Sequence, residues 1–215
     1  KKIKFYQAST SEMFGSTKPP QNEKTYFSPK SPYGAAKLYG HWITKIYRES
    51  YNIFACSGIL FNHESPLRGE TFVTKKVIIA AVKYSKNKKE ILQIGNLDAI
   101  RDWGHAKDYV ENMWMMLQQK KPDDYVIATN KSYTVRRFIE ETYKALGVKI
   151  KWVGNGVSEK AIDINTKKTI IKVNSKYFRP NEVDNLRGNP AKAKKKLKWK
   201  PRITFKRLIK EMIEY

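Results

Sequence analysis

Short apolar runs alternate along this chain with longer stretches in which apolar residues recur every three or four positions. Ile3 to Ala8 has the first pattern and predicts a short buried strand. Ile53 to Phe61 is almost continuously apolar, as expected of a parallel strand covered on both faces. Between them, Ser31-Pro32 offers an N-cap and a proline at the first helical position. A helix is predicted from there to about Tyr51, with Ala35, Leu38, Trp42, Ile43 and Ile46 on its apolar side. Gly15 to Ser31 carries Pro19, Pro20 and Pro29, which forbid a long helix and predict loop. Strand, helix and strand make one βαβ unit.

The alternation continues. Helices are predicted at Phe72 to Tyr84, Ala106 to Gln119 and Thr134 to Leu146, the last ended by Gly147. Extended pieces are predicted at Glu90 to Gly95, around Arg101, and at Tyr125 to Ala128, Lys149 to Val153 and Thr169 to Val173. Pro190 to Leu197 and Phe205 to Ile213 read as short closing helices. Gly154 to Lys168 is polar and reads as a mobile loop. No internal repeat is present, and the order of elements predicts an α/β architecture. A Gly-x-Gly-x-x-Gly turn after a first strand, the usual seat of a dinucleotide pyrophosphate, is nowhere in the sequence. The chain opens on Lys-Lys-Ile-Lys-Phe without a leader-like run and enters a strand at once, which reads as a chain cut inside a domain.

Composition narrows the function classes. A hydrophobic content of 40% in 215 residues supports a sizeable core and argues against disorder. Lys and Arg total 43 against 20 acidic residues, a net charge of +23. Nucleic-acid readers concentrate Arg on one face, whereas this excess is mostly Lys and runs from end to end, as on a solvated surface. The run Lys192 to Lys200 reads as a helix face with Leu197 and Trp199 packed inward, so no specific nucleic-acid partner is expected. One cysteine, Cys56, precludes a disulfide within the chain and fits the reducing cytoplasm. No apolar run approaches the ~18 residues that span a bilayer, so no membrane partner is expected. Three His and one Cys make no credible metal cluster.

Candidate chemistry gathers between Ser9 and Lys37. Thr10, Ser11 and Glu12 set two hydroxyls and a carboxylate where a strand gives way to loop. Tyr33 and Lys37, four apart, share a helix face. Two other Tyr/Lys pairs have this spacing, Tyr26/Lys30 and Tyr84/Lys88. Pro29 interrupts the first, and the second lies where a helix runs out. Lys37 would stabilise a Tyr33 phenolate and make it a general base for a sugar hydroxyl. Thr10 would hydrogen-bond the oxyanion that forms. Glu12 has no place in simple alcohol oxidation, but beside a new ketone it can remove the acidic proton on the adjacent carbon. The set suggests oxidation followed by elimination.

These residues sit in longer motifs. Ser-Thr-Ser-Glu-Met-Phe-Gly, Ser-Pro-Tyr-Gly-Ala-Ala-Lys, Phe-Asn-His-Glu-Ser-Pro-Leu-Arg-Gly, Gly-Asn-Leu-Asp-Ala-Ile-Arg-Asp-Trp-Gly-His-Ala-Lys-Asp-Tyr-Val and Arg-Pro-Asn-Glu-Val-Asp stand in that order. Together they resemble the GDP-mannose 4,6-dehydratases, extended short-chain dehydrogenases/reductases that use NADP. The resemblance runs from Phe5 almost to the C-terminus. It implies the C-terminal part of a Rossmann-type doubly wound parallel sheet plus a smaller mixed α/β substrate-binding domain. Residues 1–65 would be the remaining Rossmann-type part, and 66–215 mostly the GDP-sugar domain, with about 96–130 returning to the first. It further implies that Tyr33 takes the proton from the mannose 4-hydroxyl, that Glu12 removes the C5 proton, and that Thr10 assists at O4. Lys37, with Tyr33, His63 and Arg68, would lie at the cofactor. Ser11 and Asn62 would be substrate-side contacts, Lys76, Arg101 and Arg179 would neutralise the diphosphate, and Glu182 would accept from the guanine edge. GDP-mannose, NADP and a homo-oligomer, dimer or tetramer, follow as expected partners. Met13, Phe14 and Leu67 depart from the family's usual Leu, Tyr and Arg. Without the Gly-rich portion the chain is expected to hold NADP weakly. A nucleotide-sugar epimerase shares the Tyr and Lys but needs no Glu12; an inactive GDP-sugar-binding fragment is the other alternative.

Overall fold

The computed structural model describes residues 3–178, 181 and 183–215. The chain folds into two compact units. The first holds residues 1–63, 100–132 and 181–204; the second holds 64–99, 133–180 and 205–215.

The first unit is built on a three-stranded parallel sheet. Its strands are β1 (Phe5–Thr10), β2 (Ala55–Leu60) and, later in the chain, Asp124–Ile127, in that spatial order. The first strand is shifted two residues from the predicted Ile3 to Ala8. β1 runs in register with β2 from Phe5↔Ala55 to Thr10↔Leu60, so both strands end side by side. All six residues of β2 are buried, as the continuous apolar run requires of a central strand. Between β1 and β2 runs α1 (Pro32–Tyr51). The Ser31 hydroxyl accepts from the Gly34 N–H at 3.0 Å, and Asn52 closes the helix at φ 51°. A two-pronged pair from Arg48 to Asp124, at 2.7 and 2.8 Å, ties the last turns of α1 to the third strand.

The predicted apolar side of α1 needs correcting. Trp42 and Ile46 are about half exposed, whereas Gly34, His41 and Thr44 are buried. The close approach of helix to strand selects small and polar residues there. His41 is therefore a packed residue, and its burial lowers its pKa. The core of this unit instead sets Cys56, Leu60, Tyr109, Met116 and Trp199 together on one side and Met13, Phe14, Ile59 and Phe61 on the other. Leu197 and Trp199 are buried as the sequence predicts, and Cys56 is a buried free thiol.

After β2 come β3 (Asn62–Glu64), α2 (Val73–Asn87), β4 (Leu92–Ile94), β5 (Ile100–Arg101), β6 (Trp103–His105) and α3 (Ala106–Leu117). These are followed by β7 (Asp124–Ile127), β8 (Tyr133–Thr134), α4 (Val135–Ala145), β9 (Ile150–Val153), β10 (Lys160–Asp163) and β11 (Thr169–Val173), and the chain closes with α5 (Ala191–Leu197) and α6 (Phe205–Glu214). The second unit carries a four-stranded mixed sheet in the order β4-β11-β10-β9, parallel only between β4 and β11. α2, α4 and α6 pack on one another beside it. Strand β10 lies within the segment predicted as a mobile loop. Its apolar content is only Ala161 and Ile162, too little for a periodic pattern, but the neighbours β9 and β11 supply its hydrogen bonds. Among the described residues no helix is long and apolar enough to cross a membrane.

Candidate active site

The site begins at the carboxyl end of β1, where ligands of open parallel sheets bind. Thr10 is the last strand residue, and its Oγ1 accepts from the Glu12 N–H at 3.3 Å, starting a single turn over Ser11–Met13. Ser11 is buried and Glu12 half-buried. The opening of α1 rests on this turn. A Cβ placed on Gly34 would lie 2.9 Å from the Glu12 carbonyl oxygen and 3.1 Å from Pro29 Cβ. Only a residue without a side chain permits that approach, and it brings Tyr33, the neighbour of Gly34, to the backbone that carries Glu12. Tyr33 is 55% exposed. One turn on, the Lys37 amine donates to the Ala8 carbonyl at 3.0 Å and lies 5.7 Å from the Tyr33 ring centroid. No hydrogen bond or ion pair among the described residues engages the Tyr33 hydroxyl or the Glu12 carboxylate. The Thr10–Glu12 turn and the opening of α1 that carries Tyr33 and Lys37 thus meet backbone to backbone, and Gly34, which carries no chemistry, sets the spacing of the two.

Asn62 and His63 follow the neighbouring strand β2. His63 Nδ1 donates to the Phe61 carbonyl at 2.9 Å, and its ring lies tilted against Tyr109 with centroids 5.1 Å apart, so its position is fixed by both. Arg101 donates to the Ile100 carbonyl at 3.0 Å. Its neighbour Asp102 is fully buried. The Asp102 carboxylate accepts from the Thr129 N–H and hydroxyl and from the Asn130 and Gly188 N–H groups. Burial pushes its carboxyl up to about 6, against those four donors, which pull it down. Trp103 and His105 are buried as well, and His105 Nδ1 caps α3 by accepting from the Lys107 N–H.

Two predicted contacts belong to the second unit. Arg68 Nε pairs with the buried Glu64 carboxylate at 3.1 Å, and its guanidinium lies 3.5 Å from the Phe72 ring centroid. The Thr74 hydroxyl donates to the same carboxylate at 2.7 Å. Burial raises the Glu64 pKa, with Arg68 and Thr74 opposing. Glu64 and Thr74 were missed from the sequence, although the four-residue spacing of Glu64 and Arg68 was visible. The Lys76 amine sits 3.7 Å over the Tyr177 ring. Arg179 and Glu182 lie outside the described residues. Among the described residues no group of His, Cys, Asp and Glu is placed to hold a metal ion.

Against known proteins, the family profile described as GDP-mannose 4,6 dehydratase matches residues 1–212. This chain belongs to the GDP-mannose 4,6-dehydratase family. It is similar to the GDP-mannose 4,6 dehydratase of Drosophila melanogaster, 51% identical over 215 residues, all of this chain and 54% of the relative. The human GDP-mannose 4,6 dehydratase is 52% identical over 98% of this chain and 57% of its own length. The chain thus spans rather more than half the length of these curated relatives. Among solved structures, dTDP-glucose 4,6-dehydratase from Bacillus anthracis in complex with NAD superposes with a TM-score of 0.80 at 21% identity, over 99% of this chain and 61% of that one. RMD from Pseudomonas aeruginosa complexed with NADPH gives 0.80 at 17%, over 98% and 65%. Both confirm the α/β fold. The family's departures here fall off the cluster: Met13 and Phe14 fill the core and Leu67 is exposed.

Proposed function

We propose that the protein converts GDP-mannose to GDP-4-keto-6-deoxymannose with NADP, on the route to GDP-fucose and other deoxysugars. The observation that carries this reading is the contact of the Glu12 turn with the opening of α1 at Gly34. It gives the Tyr/Lys pair a second base, which oxidation alone does not use. The ends of β1 and β2 lie side by side and Lys37 is bonded to the Ala8 carbonyl of β1, which supports a nicotinamide ribose held there by Tyr33, Lys37 and His63. When bound there, with Arg68 as a further contact, NADP would supply hydride acceptance and return. The chain's own residues do the rest. Tyr33 removes the proton from the 4-hydroxyl while Thr10 donates a hydrogen bond to O4. With C4 now a ketone, the C5 proton is acidic; Glu12 takes it and passes it to the C6 hydroxyl, which leaves as water. Ser11 and Asn62 act on the substrate side, and Lys76, Arg101, Arg179 and Glu182 hold the diphosphate and guanine.

The enzyme works in the cytoplasm as a homo-oligomer. The test is incubation with GDP-mannose and NADP, following the 4-keto product. A protein that binds GDP-mannose yet yields no 4-keto sugar under any NADP or NAD supply would reduce the reading to sugar-nucleotide binding.

A further inference from the structure

The second unit carries a cationic site separate from the residues already assigned. On the mixed sheet, Lys160 of β10 stands directly opposite Lys172 of β11. Side chains of such a pair share a face, and like charges in that position destabilise a sheet. Lys172 lines an open depression of about 400 Å³ together with Lys88 and Lys89 from the end of α2, Lys168 from the turn before β11, and Thr169, the first residue of β11. Glu90 is the carboxylate in its wall. None of the five lysines makes an ion pair with a carboxylate among the described residues, whereas Lys192, Lys196 and Lys210 do. The Lys88 amine lies 5.0 Å from the Tyr84 ring centroid.

The negative end of α2 accounts for Lys88 and Lys89, since cations favour a helix C-terminus. It does not account for Lys168 and Lys172, which arrive from a different part of the chain, nor for Lys172 facing Lys160. Unneutralised ammonium groups converging from separate segments on a hollow complement a compact multivalent anion. Lysine serves phosphate as a point charge, and the Thr169 hydroxyl adds a donor. Tyr84 is buried, and no exposed aromatic ring lines the hollow to stack a base. We propose that this depression binds an oligophosphate group, held by Lys88, Lys89, Lys168 and Lys172.

The experiment uses inorganic tripolyphosphate and ATP as probes, with calorimetry and lysine acetylation footprinting on the intact protein. Tripolyphosphate is expected to protect Lys168 and Lys172 from acetylation while leaving Lys194 and Lys195, exposed on α5, unprotected. The double variant Lys168→Gln/Lys172→Gln should weaken tripolyphosphate binding by about tenfold or more, from the loss of two charge-assisted contacts. Lys194→Gln/Lys195→Gln, the same change in net charge, should leave it within about twofold. ATP binding more tightly than tripolyphosphate would identify a nucleotide as the source of the group; equal or weaker binding would identify free oligophosphate. Equal weakening by both double variants, or protection spread evenly over the lysines, would show diffuse charge only and overturn the proposal.

Discussion

Gly34→Ala separates the packing argument from ordinary helix chemistry. In an exposed helix the substitution should stabilise by up to about 1 kcal/mol, because alanine has less backbone freedom to lose. Here the new methyl would meet the Glu12 carbonyl oxygen at 2.9 Å and Pro29 Cβ at 3.1 Å. Nonbonded carbon contacts are comfortable at roughly 3.5–4.0 Å, so the helix opening or the Glu12 turn must move by about half an ångström or more. Both neighbours are backbone or proline ring, which yield poorly, and overpacking of this kind costs about 1–3 kcal/mol. The clash therefore outweighs the propensity gain, and a net loss of roughly 0.5–2 kcal/mol is expected. For a chain of this size that is a fall of about 1–8 °C in Tm, checked alongside urea midpoints. Because the displaced backbone carries Glu12 on one side and Tyr33 on the other, turnover of GDP-mannose should fall by about 10- to 100-fold. A Gly34→Ala variant that is more stable than the wild type, with unchanged turnover, would refute the claim that this contact sets the site.

Glu12→Gln should lower dehydration by about 10²- to 10⁴-fold, read as lost exchange of the C5 hydrogen with solvent deuterium; full retention would remove Glu12 from its role. Asp102→Asn should cost roughly 2–4 kcal/mol, since its amide would face backbone N–H groups that the carboxylate now satisfies. Its pH dependence has a definite sign. The native carboxyl, near 6 against 3.8 when unfolded, contributes stability that is present below pH 3.8 and lost as pH rises through about 6, some 3 kcal/mol in all. The wild type's advantage over Asp102→Asn should accordingly shrink between pH 4 and pH 7 in urea titrations. Arg48→Met, which leaves the half-buried Asp124 carboxylate without its two-pronged partner, should cost about 2–4 kcal/mol, and a cycle with Asp124→Asn should show strong coupling.

Elements that local chemistry can specify were already readable in the order of residues. The run of β2 is apolar throughout because both of its faces are covered, and Ser31-Pro32 starts α1 because a capping hydroxyl and a fixed φ act within one turn. The strand end at Thr10 and the helix opening that carries Tyr33 and Lys37 were also legible, since each is a short-range feature, and the motif order was enough to place the chain in its family. Everything set by close approach emerged only with the packed fold. The half-exposed Trp42 and Ile46, and the buried His41, follow from how closely α1 lies on its sheet, which no helical period contains. Strand β10 exists because two neighbours complete its hydrogen bonds. The burial of Asp102 under four donors and the hold of the Glu64 carboxylate on Arg68 and Thr74 depend on residues distant in the chain or on the burial of one partner. Gly34 shows the division most plainly: as a letter it is a poor helix residue, and only the Glu12 carbonyl 2.9 Å from its missing Cβ gives it a purpose.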